Sequence, residues 1–147
     1  MKAKELMIGD WVNIIPEEYR NENYNIQIDR IQPMMSNRLR VGAGKYYSHI
    51  DLITPIPLTE EILKANGFQK TKYYYEFITN IDVLHDAVFI EKDSPCNYGL
   101  VIDTEINMEG ECSYHYELPD VKYVHELQHA LRLCGLNDLA DNFKVNE

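Results

Sequence analysis

Cysteine is scarce in this chain of 147 residues: Cys96, Cys112 and Cys134 are odd in number and widely spaced. That argues against a disulfide framework. No apolar run approaches membrane-spanning length, and the opening MKAKELMIGDW lacks the apolar core of a secretory signal. A cytoplasmic protein with no membrane partner is the expectation. Positive charge is short as well, with 14 Lys and Arg against 24 Asp and Glu, for a formal net charge of −10. Residues 1–57 carry seven of each sign, so the whole deficit falls in residues 58–147, with seven basic and 17 acidic side chains. An acidic surface repels phosphate backbones, which argues against general nucleic-acid binding by the later part. A hydrophobic content of 45% with 11 tyrosines instead indicates a folded chain with a real core. The length suits one domain, or two small ones sharing a core.

One string names a chemistry. His125-Glu126-Leu127-Gln128-His129 matches H-E-x-x-H, the zinc-peptidase pattern. It lies within Pro119 to Gly135, which reads as a single amphipathic helix. Asp120 is the expected N-cap, and Gly135 can take the left-handed conformation that lets Leu136 fold back on Leu131. At about 100° per residue, Tyr123, Val124, Leu127, Ala130, Leu131 and Cys134 fall on an apolar side. Lys122, His125, Gln128, His129 and Arg132 fall on the polar side, with Glu126 at the border. Two histidines at i and i+4 suit a zinc helix, with His125 and His129 as ligands and Glu126 as general base. They suit a solvated face equally.

What is missing decides between these readings. A metal site needs a third protein ligand, yet only 18 residues follow His129, and Asp138, Asp141 and Glu147 have no recognised spacing. Arg132 stands where the extended motif has glycine. Lys122 and Arg132, at i−3 and i+3 of the pair, would crowd a dication. A polar helix face is the expectation, and zinc the alternative.

Earlier in the chain, short alternating stretches predict strands at Trp11–Ile14, from Tyr24 through Ile28 towards Ile31, at Arg38–Val41 and from Lys45 to Tyr47, with another at His49–Ile53. Together they suggest a small antiparallel SH3-like β-barrel or curled sheet over residues 1–55. Gly42-Ala43-Gly44-Lys45 lacks the first glycine and the Ser/Thr of a phosphate loop, and reads as a hairpin turn. Arg30, Arg38, Arg40 and Lys45 beside Tyr46 and Tyr47 offer the cation–aromatic mix of a single-strand binder, which acidic neighbours offset.

Thr54-Pro55-Ile56-Pro57 reads as a stiff linker unable to continue a ladder. Beyond it Thr59 caps a short helix that Gly67 stops, with Leu58 and Phe68 both returning to Leu63. Strands follow at Lys72–Thr79, Ala87–Glu91, Leu100–Ile106 and Ser113–Leu118, then the long helix and a helical tail over Asn137–Phe143. Residues 56–147 thus read as an antiparallel meander covered on one face by helices, making the whole chain α+β.

Two further constellations combine cysteine with histidine. Cys112, His115, His125 and His129 approach a zinc-finger spacing, but Cys112 and His115 at odd separation in a strand would point to opposite faces. Cys96 could pair with His85 or His115 as a nucleophile, although nothing local activates it.

Three segments, Glu5-Leu6-Met7-Ile8-Gly9-Asp10-Trp11-Val12, Ile56-Pro57-Leu58-Thr59-Glu60-Glu61-Ile62-Leu63 with Gly67-Phe68, and Lys122-Tyr123-Val124-His125-Glu126-Leu127-Gln128, resemble a family of small uncharacterised proteins from Bacteroides-type bacteria, their phages and mobile elements. The resemblance implies no activity, cofactor or catalytic residue. It does imply a string closer to HQLQN in the helix, making Glu126 and His129 departures from the family pattern. The expected function is therefore a non-enzymatic accessory or interaction protein, acting on an unidentified protein partner or by self-association. The alternatives are a zinc-dependent hydrolase and a weak single-strand binder.

Overall fold

The computed structural model describes residues 5–18, 22–34, 38–79, 83–94 and 97–145. The described residues of the first part form six strands: β1 (Trp11–Ile14), β2 (Tyr24–Gln27), β3 (Arg30–Pro33), β4 (Leu39–Ala43), β5 (Tyr46–His49) and β6 (Ile53–Pro55). They pair antiparallel as two three-stranded sheets, β2-β1-β6 and β3-β4-β5. Among the described residues these are separate ladders, which fits the curled-sheet expectation and does not by itself close an SH3-like barrel. Val12, Ile14, Ile26, Ile28, Val41 and Ile53 bury themselves between the sheets together with Leu6.

Two local expectations are corrected here. The strand expected at His49–Ile53 is broken by a 3-10 turn at Ile50–Leu52, which carries the chain from one sheet to the other before Ile53 opens β6. Thr54-Pro55 does continue a ladder, because β6 pairs with β1 from an edge, where proline's missing N–H is not needed. Ile56 and Pro57 are then stitched to the start of the C-terminal helix. Val124 N donates to Ile56 O at 3.0 Å, and Leu58 N to Lys122 O at 2.8 Å.

The second part begins with α1 (Glu60–Ala65). The Thr59 hydroxyl accepts from Ile62 N at 3.3 Å, and Gly67 (φ 85°) turns the chain so that Phe68 N reaches Leu63 O. Glu60 ties this helix to the sheet through Lys70 and Lys92, at 3.3 and 3.1 Å. The Tyr75 hydroxyl beside it, then Lys92 and Lys70, lower its pKa to about 2. Five strands form a simple antiparallel meander: β7 (Gln69–Lys70), β8 (Tyr74–Ile78), β9 (His85–Ser94), β10 (Asn97–Ile106) and β11 (Tyr114–Val121). Tyr75, Val88, Ile90, Leu100 and Ile102 share one face through cross-strand pairing. They pack with Leu63, Leu127, Leu131, Ala140 and Phe143 into the second core.

The long helix is shorter than its sequence suggests. α2 runs Val124–Leu133, with Tyr123 as N-cap, followed by α3 (Asn137–Asp141). Residues 119–121 belong to β11, where a register shift opposite β10 seats Pro119 and Asp120 at a bulge. Proline is tolerated at such a bulge, so the ladder outcompetes the N-cap that Asp120 offers. The described residues form an α+β arrangement of antiparallel sheets with three α-helices, none long and apolar enough to cross a membrane.

Candidate functional site

The polar side of α2 does not face solvent. His125 and Gln128 are buried, and His129 and Arg132 are half-buried, because the turn before β1 and β1 itself pack over them. Gln128 uses its whole amide: Oε1 accepts from Trp11 N at 2.9 Å, while Nε2 donates to Gly9 O at 2.9 Å and Ala140 O at 2.8 Å. Asp10 is fully buried and gathers the neighbouring polar groups. Its Oδ2 lies 2.8 Å from His129 Nε2 and accepts from Met7 N at 2.7 Å, while Oδ1 accepts from Arg132 Nη1 at 2.8 Å. Gly9 is required beside this pair. Its φ is 92°, and a Cβ there would stand 2.6 Å from Arg132 Nη2.

Glu126 caps the helix instead of facing the histidines. Its Oε2 accepts from Lys122 N at 2.7 Å and from Tyr123 N at 3.2 Å, the reach-back expected of a glutamate in the first turn. The His125 ring stacks on Tyr123 and meets His129 edge-on, with centroids 5.9 and 5.8 Å away. Burial pushes its pKa below the ordinary histidine value. The carboxylate that sequence could not place near His129 is Asp10, 119 residues away and already shared with Arg132. Its part in the cluster left no signal beyond a Gly-Asp turn.

The basic strip of the first part comes together only in part. Arg30, Arg40, Lys45 and Tyr47 line a concavity of about 310 Å³. The Arg40 guanidinium lies 4.4 Å over the Tyr47 ring and pairs with Glu17 at 3.1 Å. The Lys45 ammonium lies 5.0 Å over Tyr46, whose ring also stacks on Tyr24 at 4.8 Å. Arg30 pairs with Asp29 at 3.2 Å and donates to Gly44 O. Arg30, Arg40 and Lys45, with the Tyr46 and Tyr47 rings, thus have partners within the chain, and Arg38 is exposed before β4. Gly44-Lys45 forms the β4–β5 turn.

The sequence constellation Cys112, His115, His125 and His129 divides between two places. His129 meets Asp10 with His125 beside it on α2, whereas Cys112 and His115 lie at the far end of the β10–β11 hairpin. Cys112 precedes β11 and is not in it, so strand alternation does not separate it from His115. His85 opens β9, and Cys96 lies outside the described residues.

The outer face of the five-stranded sheet was not singled out by sequence. Cross-strand partners place Tyr74 beside Glu91, Glu76 beside Phe89, and Val101 beside both Phe89 and Glu117 on that side. Tyr74 and Phe89 meet edge-to-face at 5.4 Å. Ile78 is 50% exposed, and none of these apolar side chains belongs to either core. The face is aromatic at its centre and acidic around it. No protein-family profile, curated protein or solved structure matches this chain.

Proposed function

We propose that this is a non-enzymatic, cytoplasmic interaction protein, an accessory of a bacterial mobile element or phage, whose outer sheet face receives a basic, amphipathic segment of a partner protein. The observation that carries the reading is that face: Tyr74, Phe89 and Val101 lie outside both cores and are ringed by Glu76, Glu91 and Glu117. Apolar side chains supply the contact area, and the surrounding carboxylates select a positive partner. The acidic balance of residues 58–147 acts in the same direction.

Amide chemical-shift mapping with a Lys/Leu amphipathic peptide tests it. Shifts centred on β8, β9 and β10 are expected, weakening with salt and lost in a Glu76→Lys, Glu91→Lys double variant. Equal binding of a Glu/Leu counterpart, or shifts elsewhere, would overturn the reading.

One observation favours the competing zinc hydrolase. The Nδ1 of His125 is buried without a hydrogen-bond partner, and an ion would give it one. That mechanism requires Glu126 to leave its cap and His129 to leave Asp10. Metal content of wild type against His129→Ala separates the two readings.

A further inference from the structure

The far end of the β10–β11 hairpin gathers three donors of different kinds. Asp103 and His115 are direct cross-strand partners, with Oδ1 and Nδ1 2.5 Å apart. The connecting loop returns Cys112 to the same spot, so that one donor atom each from Asp103, Cys112 and His115 lies within 4.8 Å of the others. The loop is shaped to do this. Asn107 Oδ1 accepts from Glu109 N at 3.0 Å and Glu111 N at 2.9 Å, Asn107 N reaches Glu111 O, and Ser113 N reaches Thr104 O. Glu105, the one non-glycine residue with positive φ among those described (55°), begins this departure from the ladder, its N–H held by Asp86 Oδ1 at 3.0 Å.

We infer that Asp103, Cys112 and His115 form a zinc-binding site with three protein ligands, leaving one coordination position open to solvent or to a donor from another molecule. A thiolate, an imidazole and a carboxylate are a borderline donor set that suits Zn²⁺ over Mg²⁺ or Ca²⁺. Nδ1 of His115 faces the site, and Nε2 lies 3.6 Å from Glu117 Oε1, the outer carboxylate that commonly orients a metal-bound histidine. Tetrahedral coordination holds N and O donors about 3.3 Å apart, so the Asp103–His115 contact opens by under about 1 Å to admit the ion. Binding releases the Cys112 thiol proton and any proton held between Asp103 and His115. The ion then ties the loop to the sheet at an edge strand exposed along nearly all its length. This site is separate from the helix histidines and stands whether or not the outer face receives a basic partner.

Titration of the reduced protein with Co²⁺ tests the assignment. The expected result is a thiolate-to-cobalt charge-transfer band with tetrahedral d–d absorption, saturating at about one ion per chain. The band is lost in Cys112→Ser, and affinity falls roughly tenfold or more in His115→Ala, Asp103→Asn and Glu117→Gln. Excess Zn²⁺ displaces the cobalt and raises the melting temperature of wild type but not of Cys112→Ser. Cys112 and His115 are exposed, so each variant is expected to keep its fold, which circular dichroism checks. Absence of the charge-transfer band, its survival in Cys112→Ser, or cobalt binding lost only in His125→Ala or His129→Ala would overturn the assignment.

Discussion

Asp10 and Arg132 are 122 residues apart in the chain and 2.8 Å apart in space, and the Asp10 side chain is entirely excluded from solvent. A buried carboxylate is tolerated only when its charge is met. Here Arg132, His129 and the Met7 N–H meet it together.

Removing either partner is therefore costly. Asp10→Ala is expected to destabilise the fold by about 3–5 kcal/mol, because Arg132 and His129 are left beside a cavity. Arg132→Met is expected to cost a similar amount, because the buried carboxylate loses its guanidinium partner. Chemical denaturation of both variants and of the double variant checks this, and strong non-additivity is the expected signature of a shared pair.

Gln128→Leu keeps the volume and removes the amide. Trp11 N, Gly9 O and Ala140 O all lose a partner, for an expected loss of roughly 2–4 kcal/mol. A change close to zero would mean that water replaces the amide. Hydrogen exchange at Trp11 N distinguishes the cases, since it should accelerate in the variant.

Stability is expected to fall on the acid side through His125. Burial lowers its folded-state pKa, outweighing the opposing pull of Asp10 and Glu126, while His129 adds to the lowering. The unfolded chain thus takes up the proton first. The stability this group contributes is present above about pH 6.5 and is lost as pH falls from there through the lower folded value. Melting temperatures between pH 5 and pH 8 should show the decline in wild type, and His125→Phe should flatten it.

Glu126→Gln separates a cap from a general base. Glutamine also reaches back to the backbone of a first helical turn, so stability should change by less than about 1 kcal/mol, whereas Glu126→Ala should lose about 1 kcal/mol or more. Loss of a hydrolytic activity in Glu126→Gln at unchanged stability would instead establish the zinc mechanism.

Much of the fold is legible because its signals are local. Alternation located most of the strands, though not β6 or β7, and Thr59, Gly67 and the leucine between them fixed α1 to within a residue. Local sequence starts α2 too early because Asp120 offers a good cap, whereas the ladder that claims residues 119–121 comes from β10, some twenty residues earlier. The larger failure concerns the polar side of α2. Periodicity reports which side chains are polar, and it carries no information on whether a segment over a hundred residues away will cover and satisfy them. Gln128, on the polar side by periodicity, is among the most thoroughly hydrogen-bonded side chains described. Likewise C-x2-H at Cys112 and His115 is visible in sequence, but Asp103 joins them only through strand register.

The Trp11 indole donates to Phe143 O at 2.5 Å, beside the Gln128 and Asp10 contacts, so an early turn is latched by late elements. During synthesis the sheets of residues 11–55 emerge well before that latch exists. A nascent chain lacking residues 124–143 leaves Trp11 and the turn before β1 without the partners that Gln128 and Phe143 supply. The N-terminal sheets are thus provisional until α2 and α3 arrive, and premature termination anywhere in β11 would leave them as chaperone or protease clients.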